Sequence, residues 1–293
     1  MSPKIEPLRD TAGTGNAPLL PKPHHDHHKD ELGSDAPPGG LLIVNADDWG
    51  RDCENTQRTL DCFRRGAISS VSAMVFMEHS EEASAIAKEQ GIDAGLHLNL
   101  TTPFSDRDIP TLLAEHQRRL ASYLTRYRLS AVVFHPGLSA SFDYVVKTQL
   151  EEFGRLYGQA PERIDGHHHA HLCANVILST LLPEGSIVRR NFSFRRGEKS
   201  LINRIYRRLV DHRLSRRHLL THLFYSLPPL DPRRLHRIFS AAREFSVELE
   251  THPINPQEYQ FLIEGEIFRV AGDLRVERGF SGPLRERLAI RKS

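Results

Sequence analysis

The stretch Leu41-Leu42-Ile43-Val44-Asn45-Ala46-Asp47-Asp48 decides how the rest of the chain is read. Four apolar residues in a row describe a strand covered on both faces, the habit of parallel sheets. The run ends in two carboxylates, and a carboxylate taken out of water needs a compensating partner. Two more segments share the pattern. Gly95-Leu96-His97-Leu98-Asn99-Leu100 carries one imidazole between leucines, and Ile164-Asp165-Gly166-His167-His168-His169-Ala170-His171 carries four. A divalent cation is the simplest partner for such strand ends, which points to a metal-dependent hydrolase.

Outward from these segments, strand and helix patterns alternate. Strands are expected at Ile68–Met77, Asp93–Leu100, Arg163–Gly166, Ser186–Arg190 and Ser246–Glu250. Helices are expected at Asp52–Arg65, Ser80–Gln90, Leu112–Tyr127, Phe142–Tyr157, Asn175–Leu182, Leu201–Leu214 and Pro232–Arg243, with Val132–Gly137 a short strand or a loop. This order implies right-handed crossovers and a mostly parallel α/β sheet, either open or closed into a barrel. Ligands of such folds sit at the carboxyl ends of the strands. Asp47, Asp48, His97, His167 and His252 all fall at or just past such ends.

Composition narrows the partners. The 293 residues carry a net charge of +2, which argues against a surface built as a whole for nucleic acid or acidic lipid. A local basic zone, with Arg189-Arg190, Arg195-Arg196 and then Arg204, Arg207, Arg208, Arg213, Arg216 and Arg217, reads as a solvated helix face with no stacking platform interleaved. Cys53, Cys62 and Cys173 have no CxxC spacing, and Met1 to Gly13 lacks an apolar secretory core, so a reducing cytoplasm is expected. No run approaches the roughly 20 apolar residues of a membrane span. Residues 1–39, rich in Pro and Gly, read as a disordered tail. Its tract His24-His25-Asp26-His27-His28 is dense in imidazole but has no structured frame. Residues 40–293 read as a single catalytic domain.

The chemistry follows from residue types. Of an Asp-Asp pair at a strand end, one carboxylate can hold a cation while the other accepts a proton from water that the cation has acidified. Gly95 beside His97 removes a side chain where a ligand or backbone approaches. On a strand, His167, His169 and His171 would project one way and His168 the other; His167, nearest the strand end, is the best ligand among them. His169 and His171 would then support it or touch substrate, and Asp165 could orient a ligand His or the substrate. One carboxylate with two imidazoles leaves positions open, as catalytic sites require. Either His252 or His135 could protonate a leaving group.

Leu41 to Gly50, Gly95 to Leu100, Ile164 to His171 and Glu248-Leu249-Glu250-Thr251-His252-Pro253 together resemble the YdjC-like carbohydrate deacetylases, which include chitooligosaccharide deacetylases and hopanoid-associated deacetylase-like proteins. The likeness spans about Leu41 to Pro253. It implies a distorted (β/α) TIM-like barrel, one divalent metal (Mg²⁺ or Zn²⁺), and removal of an N-acetyl group from an amino sugar or glycolipid. By motif position it implies Asp48, His97 and His167 as metal ligands, Asp47 as catalytic base and His252 as the late His of the family. Trp49 stands where the family usually has Phe, Gly166 where it often has Ser, Ile254-Asn255 follow where Gly is common, and the loop Thr101–Pro110 is short. No nucleic acid is expected as a partner, and a homodimer is allowed for. Two other readings compete: a metal-dependent phosphoesterase, if the arginines near Arg189 to Arg196 line the pocket, and a metal- or carbohydrate-binding protein without catalysis.

Overall fold

Parallel strands need crossovers, and the chain supplies a helical segment between almost every pair. Strand β1 (Leu41–Trp49) is followed by α1 (Cys53–Arg64), β2 (Ser70–Ala73), α2 (Ser80–Gln90) and β3 (Asp93–Leu98). Two long helices come next, α3 (Thr111–Arg126) and α4 (Ser139–Tyr157), before β4 (Arg163–Gly166), α5 (Ala174–Leu178) and β5 (Ile187–Val188). The chain ends with α6 (Leu201–Ser215), β6 (Leu223–Ser226), α7 (Pro232–Ala241), β7 (Ser246–Thr251), α8 (Pro256–Ile263), α9 (Glu266–Ala271) and α10 (Ser281–Ile290). This computed structural model describes residues 40–126, 129–195 and 197–290. The expected tail, residues 1–39 with its His24–His28 tract, lies outside the described residues. Among the described residues no helix is long and apolar enough to cross a membrane.

The seven strands are all parallel, in the order β5-β4-β3-β2-β1-β7-β6. A doubly wound sheet reverses its winding at a central switch point. Here the chain winds from β1 out to β5, crosses to the far edge, and returns through β6 and β7 to β1. That is a barrel order opened between β5 and β6. The sheet curls into a half-barrel, and irregular bonds join its edges: Ser193 N–H donates to the Phe224 carbonyl (2.9 Å), and Val188 N–H to that of Leu219 (2.9 Å).

Several elements differ from expectation. β2 stops at Ala73, because β1, its neighbour, ends at Trp49; Met74 N–H makes the last ladder bond to the Trp49 carbonyl (2.9 Å). α5 stops at Leu178, two residues before Thr180 takes a left-handed φ of 52°. β6 was not foreseen; its four residues are too few to show a period before Pro228-Pro229. Val132–Gly137 forms no strand and leads into a short 3-10 turn at Pro136–Leu138.

The barrel interior is layered. Leu41, Ile43 and Ile187 pack with Phe280 and Leu284 of the α10 region to form an apolar floor. The Phe280 and Ser281 N–H groups both donate to Asp93 Oδ2 (2.8 and 3.0 Å), which pins this stopper to β3. Above the floor the inward positions turn polar: Asn45, Ser70, Ser72, Arg163, Asp165 and Glu248 are all buried. Gly95 belongs to this layer, but the approach it permits is that of Arg163 and not of a ligand. A Cβ at Gly95 would lie 2.7 Å from the Arg163 guanidinium carbon and 2.8 Å from its carbonyl oxygen. Gly95→Ala is therefore expected to destabilise the fold by about 1–3 kcal/mol through overpacking, read from urea denaturation; an unchanged midpoint would refute it.

Candidate active site

Neighbouring residues on a regular strand face opposite ways, yet Asp47 and Asp48 both reach the interior. β1 achieves this with a bulge. Its pairing to β2 steps from Ala46↔Val71 to Trp49↔Ala73, so both aspartates stand opposite Ser72 alone, and Asp48 takes a φ of 64°. Short polar residues tolerate that left-handed region best. Trp49, fully buried, seats the bulge by donating its indole N–H to the Ala83 carbonyl (3.2 Å). His97 Nε2 then lies 3.4 Å from Asp48 Oδ1 and 3.9 Å from Asp47 Oδ2.

The histidine cluster is not the extended strand expected. His167–Leu172 forms a 3-10 turn kinked at His168 and His169, each with φ 54°, so the predicted alternation of faces does not hold. His167 Nδ1 lies 2.9 Å from Asp48 Oδ1, while His168 Nδ1 lies 3.0 Å from Thr101 Oγ1. His169 sits edge-on to Phe192 (ring centroids 4.7 Å apart), with Nε2 3.7 Å from Glu250 Oε2. His171 is buried behind the turn, its Nε2 3.0 Å from the Arg189 carbonyl. Burial drives the pKa of His169 down to about 3 and that of His171 to about 4, so both rings are neutral at pH 7.

Asp48, His97 and His167 form a set fit for a cation. Their ligand atoms lie within 4.8 Å of one another. Arg51 Nη1 holds Asp48 Oδ2 at 3.1 Å, but the buried Asp48 Oδ1 accepts no hydrogen bond of proper geometry despite its two imidazole neighbours. Ligand atoms that converge around a buried oxygen lacking a well-aligned hydrogen bond suit a shared ion, and a carboxylate with two imidazoles suits Zn²⁺ or another divalent metal with open positions. Burial pushes the Asp48 carboxyl up, but His167 and His97 outweigh it and hold it well below the usual range. Burial likewise lowers His97, but Asp47 and Asp165 outweigh it and push its pKa up to about 10 in the metal-free chain. Asp165 takes His97 Nδ1 at 2.7 Å, fixing the ring so that Nε2 faces Asp48.

Arg189, just past β5 and only 2% exposed, organises the rest. Its guanidinium grips Asp47 through Nη1–Oδ2 (2.7 Å) and Nη2–Oδ1 (2.8 Å). It also reaches Asp165 Oδ2 (3.0 Å), Glu248 Oε1 (2.6 Å) and Glu250 Oε2 (3.2 Å), with Phe224 beneath it at 4.9 Å. Burial raises the Asp47 carboxyl, but Arg189 and then His97 outweigh it, so Asp47 stays ionised. Glu250 goes the other way: burial and the neighbouring Asp47 charge lift it well above the usual carboxylate range. Sequence reading passed over Glu248 and Glu250 as site residues, although glutamates at alternate positions of a strand buried throughout signal an internal cation. Arg190 is engaged as well, by Asp211 Oδ2 (2.9 Å) and the His222 carbonyl. Arg189 and Arg190, two of the arginines that would have favoured a phosphoesterase, are thus taken up by the protein's own carboxylates, while Arg196 lies outside the described residues.

Of the two rival histidines, His252 stands beside the cluster. It follows β7, is 33% exposed, and lies 4.0 Å from Asp47 Oδ2 through Nε2 and 4.0 Å from Glu250 Oε1 through Nδ1. His135 is exposed on the loop before α4, with its ring against Tyr123 and its backbone bonded to Asn175.

A family model described as YdjC-like protein matches residues 41–265, which hold every residue of this cluster. The chain belongs to the YdjC-like family. Among curated relatives, a chitooligosaccharide deacetylase from Serratia marcescens is 33% identical over 137 residues, 45% of this chain and 51% of the relative. A carbohydrate deacetylase from Mus musculus is 28% identical over 141 residues, 46% and 44% of the respective chains. The chain thus spans about half the length of the curated relatives it matches. A solved structure described as a candidate cellobiose-phosphate cleavage protein from Enterococcus faecalis superposes with a TM-score of 0.56 at 16% identity. It covers 82% of this chain and 97% of that one, and shares the fold.

The points where this YdjC-like chain departs from the family pattern have local reasons. Gly166 lets the histidine turn fold back, since a Cβ there would lie 3.0 Å from His171 N. Asn255, after His252-Pro253, caps α8 by accepting from Gln257 N–H (3.0 Å).

Proposed function

We propose that this chain is a metal-dependent carbohydrate N-deacetylase that hydrolyses the acetamide of an N-acetylated amino sugar to free amine and acetate. One observation carries the reading: Asp48 Oδ1, His97 Nε2 and His167 Nδ1 converge on one point, with the buried Asp48 Oδ1 accepting no hydrogen bond of proper geometry, beside an Asp47 kept ionised by Arg189. Asp48, His97 and His167 would hold one divalent ion, which when bound supplies polarisation of the acetamide oxygen and acidification of water. Asp47 takes the proton of the attacking water. Its bidentate grip by Arg189 fixes which lone pair faces that water and keeps the carboxylate from closing on the cation. His252, at the open rim, gives a proton to the departing amine. Asp165 keeps the His97 tautomer in place, and Phe192, half-buried beside His169, offers an apolar wall for a sugar ring. The domain would be residues 40–293, as the sequence suggests.

The test is acetate release from N-acetylglucosamine oligomers after chelation and after return of Zn²⁺ or Mg²⁺. Activity should vanish and return with the metal, and Asp48→Ala should remove both metal and activity. Because His97 in the metal-free chain titrates near 10, the ion must displace a proton. Uptake should therefore weaken about tenfold for each pH unit lowered. Acetate release indifferent to chelation, or phosphate release from sugar phosphates without any acetate release, would refute the reading.

A further inference from the structure

The basic zone that sequence reading placed on a solvated helix is something else in three dimensions. Leu201, Ile202, Ile205 and Leu209 of α6 are 67%, 82%, 47% and 64% exposed. At 100° per residue they fall within a sector of about 100°, one continuous stripe. Arg208, Arg213 and, just past the helix, Arg216 extend this sector toward the helix end, with exposed His212 and Ser215 among them. The acidic residue of the helix, Asp211, faces inward on Arg190 and Asn191.

A second apolar rim lies nearby. Leu129, Val132, Val133 and Phe134 are 67%, 39%, 53% and 38% exposed, and a cavity of about 620 Å³ is lined by Leu129 and Val132 on one side and Asn203, Tyr206 and Arg207 of α6 on the other. The start of α6 follows β5 and the 129–134 segment precedes α4, so both stand toward the carboxyl edge of the barrel, while α6 runs on toward the amino edge, where Arg213 and Arg216 lie before β6.

We infer that the exposed stripe of α6 docks lengthwise on an anionic lipid surface. An interfacial helix combines an apolar stripe with flanking arginines, the stripe entering the acyl boundary and the arginines meeting lipid phosphates. A second copy packed parallel would set these arginines against their own kind; an antiparallel pair would not, and size exclusion separates that case. The overall charge of +2 is no obstacle, since attraction acts within a Debye length of the patch. Docking does not depend on the deacetylase reading.

The experiment is co-sedimentation of the full chain with phosphatidylcholine vesicles, with and without added phosphatidylglycerol. Pelleting should require the anionic lipid and fall with salt. Ile202→Ser with Leu209→Ser, and separately Arg213→Gln with Arg216→Gln, should each lower vesicle binding about tenfold. The melting temperature and turnover of a soluble oligosaccharide should not change. Failure to pellet with anionic vesicles, pelleting indifferent to the serine pair, or a dimer on size exclusion that the serine pair abolishes would each overturn the inference.

Discussion

Asp47→Asn should cut acetate release by about 10²- to 10⁴-fold, the range for loss of a positioned base, while the protein stays folded and keeps its metal. The amide retains the shape of the side chain, and its oxygen can take the place of Oδ1, accepting from Asn45 Nδ2 and Arg189 Nη2 as the carboxylate does at 2.9 and 2.8 Å. Its NH₂ then faces Arg189 Nη1 where Oδ2 stood at 2.7 Å, donor against donor. That contact lowers stability somewhat, but it leaves Asp48, His97 and His167 untouched. Metal content by elemental analysis, beside turnover on the same sample, separates the roles of the two aspartates. Near-normal turnover would end the assignment of Asp47 as base, and loss of metal would make it a ligand.

Arg189→Met should unfold the protein or destabilise it by at least about 3–5 kcal/mol, the cost of leaving buried charge without its partner. The guanidinium faces Asp47, Asp165, Glu248 and Glu250 inside the barrel, and among the described residues no other cation reaches all of them. Lys in its place should rescue only part, because one ammonium cannot reproduce a fork that bonds on three nitrogens. The pH dependence has a definite sign. Asp47 and Asp165 are held below their ordinary value of 3.8, so the stability they draw from Arg189 is full above that value and lost as pH falls through their depressed range. The gap between wild type and Arg189→Lys in urea denaturation should be widest near neutrality and narrow in acid. A constant gap, or equal midpoints, would show that the arginine is not what balances these carboxylates.

What could be read in the sequence, and what could not, divides along physical lines. Apolar runs ending in Asp47-Asp48, His97 and His167 were legible because a buried strand that stops in polar chemistry leaves few alternatives. The β1 bulge was not, because an inserted residue leaves the composition of the strand unchanged while reversing which face each side chain takes. The turn at His168 and His169 was hidden for a related reason: four histidines show no backbone preference strong enough to announce a left-handed pair. Glu248 and Glu250 alternate with Val247 and Leu249, a pattern that a half-exposed strand shares. They are the lining of a closed interior, and only tertiary closure tells those cases apart. Arg189 was hidden by the arginines that follow it, since a dense basic run looks like surface until one member is seen to turn inward. β6 was lost to its brevity.

The stopper of Phe280 and Leu284 bears on how the molecule comes into being. Without Phe280 and Leu284 docked, the lower mouth of the barrel would be open and water would reach Arg163, whose guanidinium rests 4.7 Å from the Phe280 ring. Charges that meet before the stopper seats would do so still solvated, where each attraction is weaker and a mispaired carboxylate is more easily released.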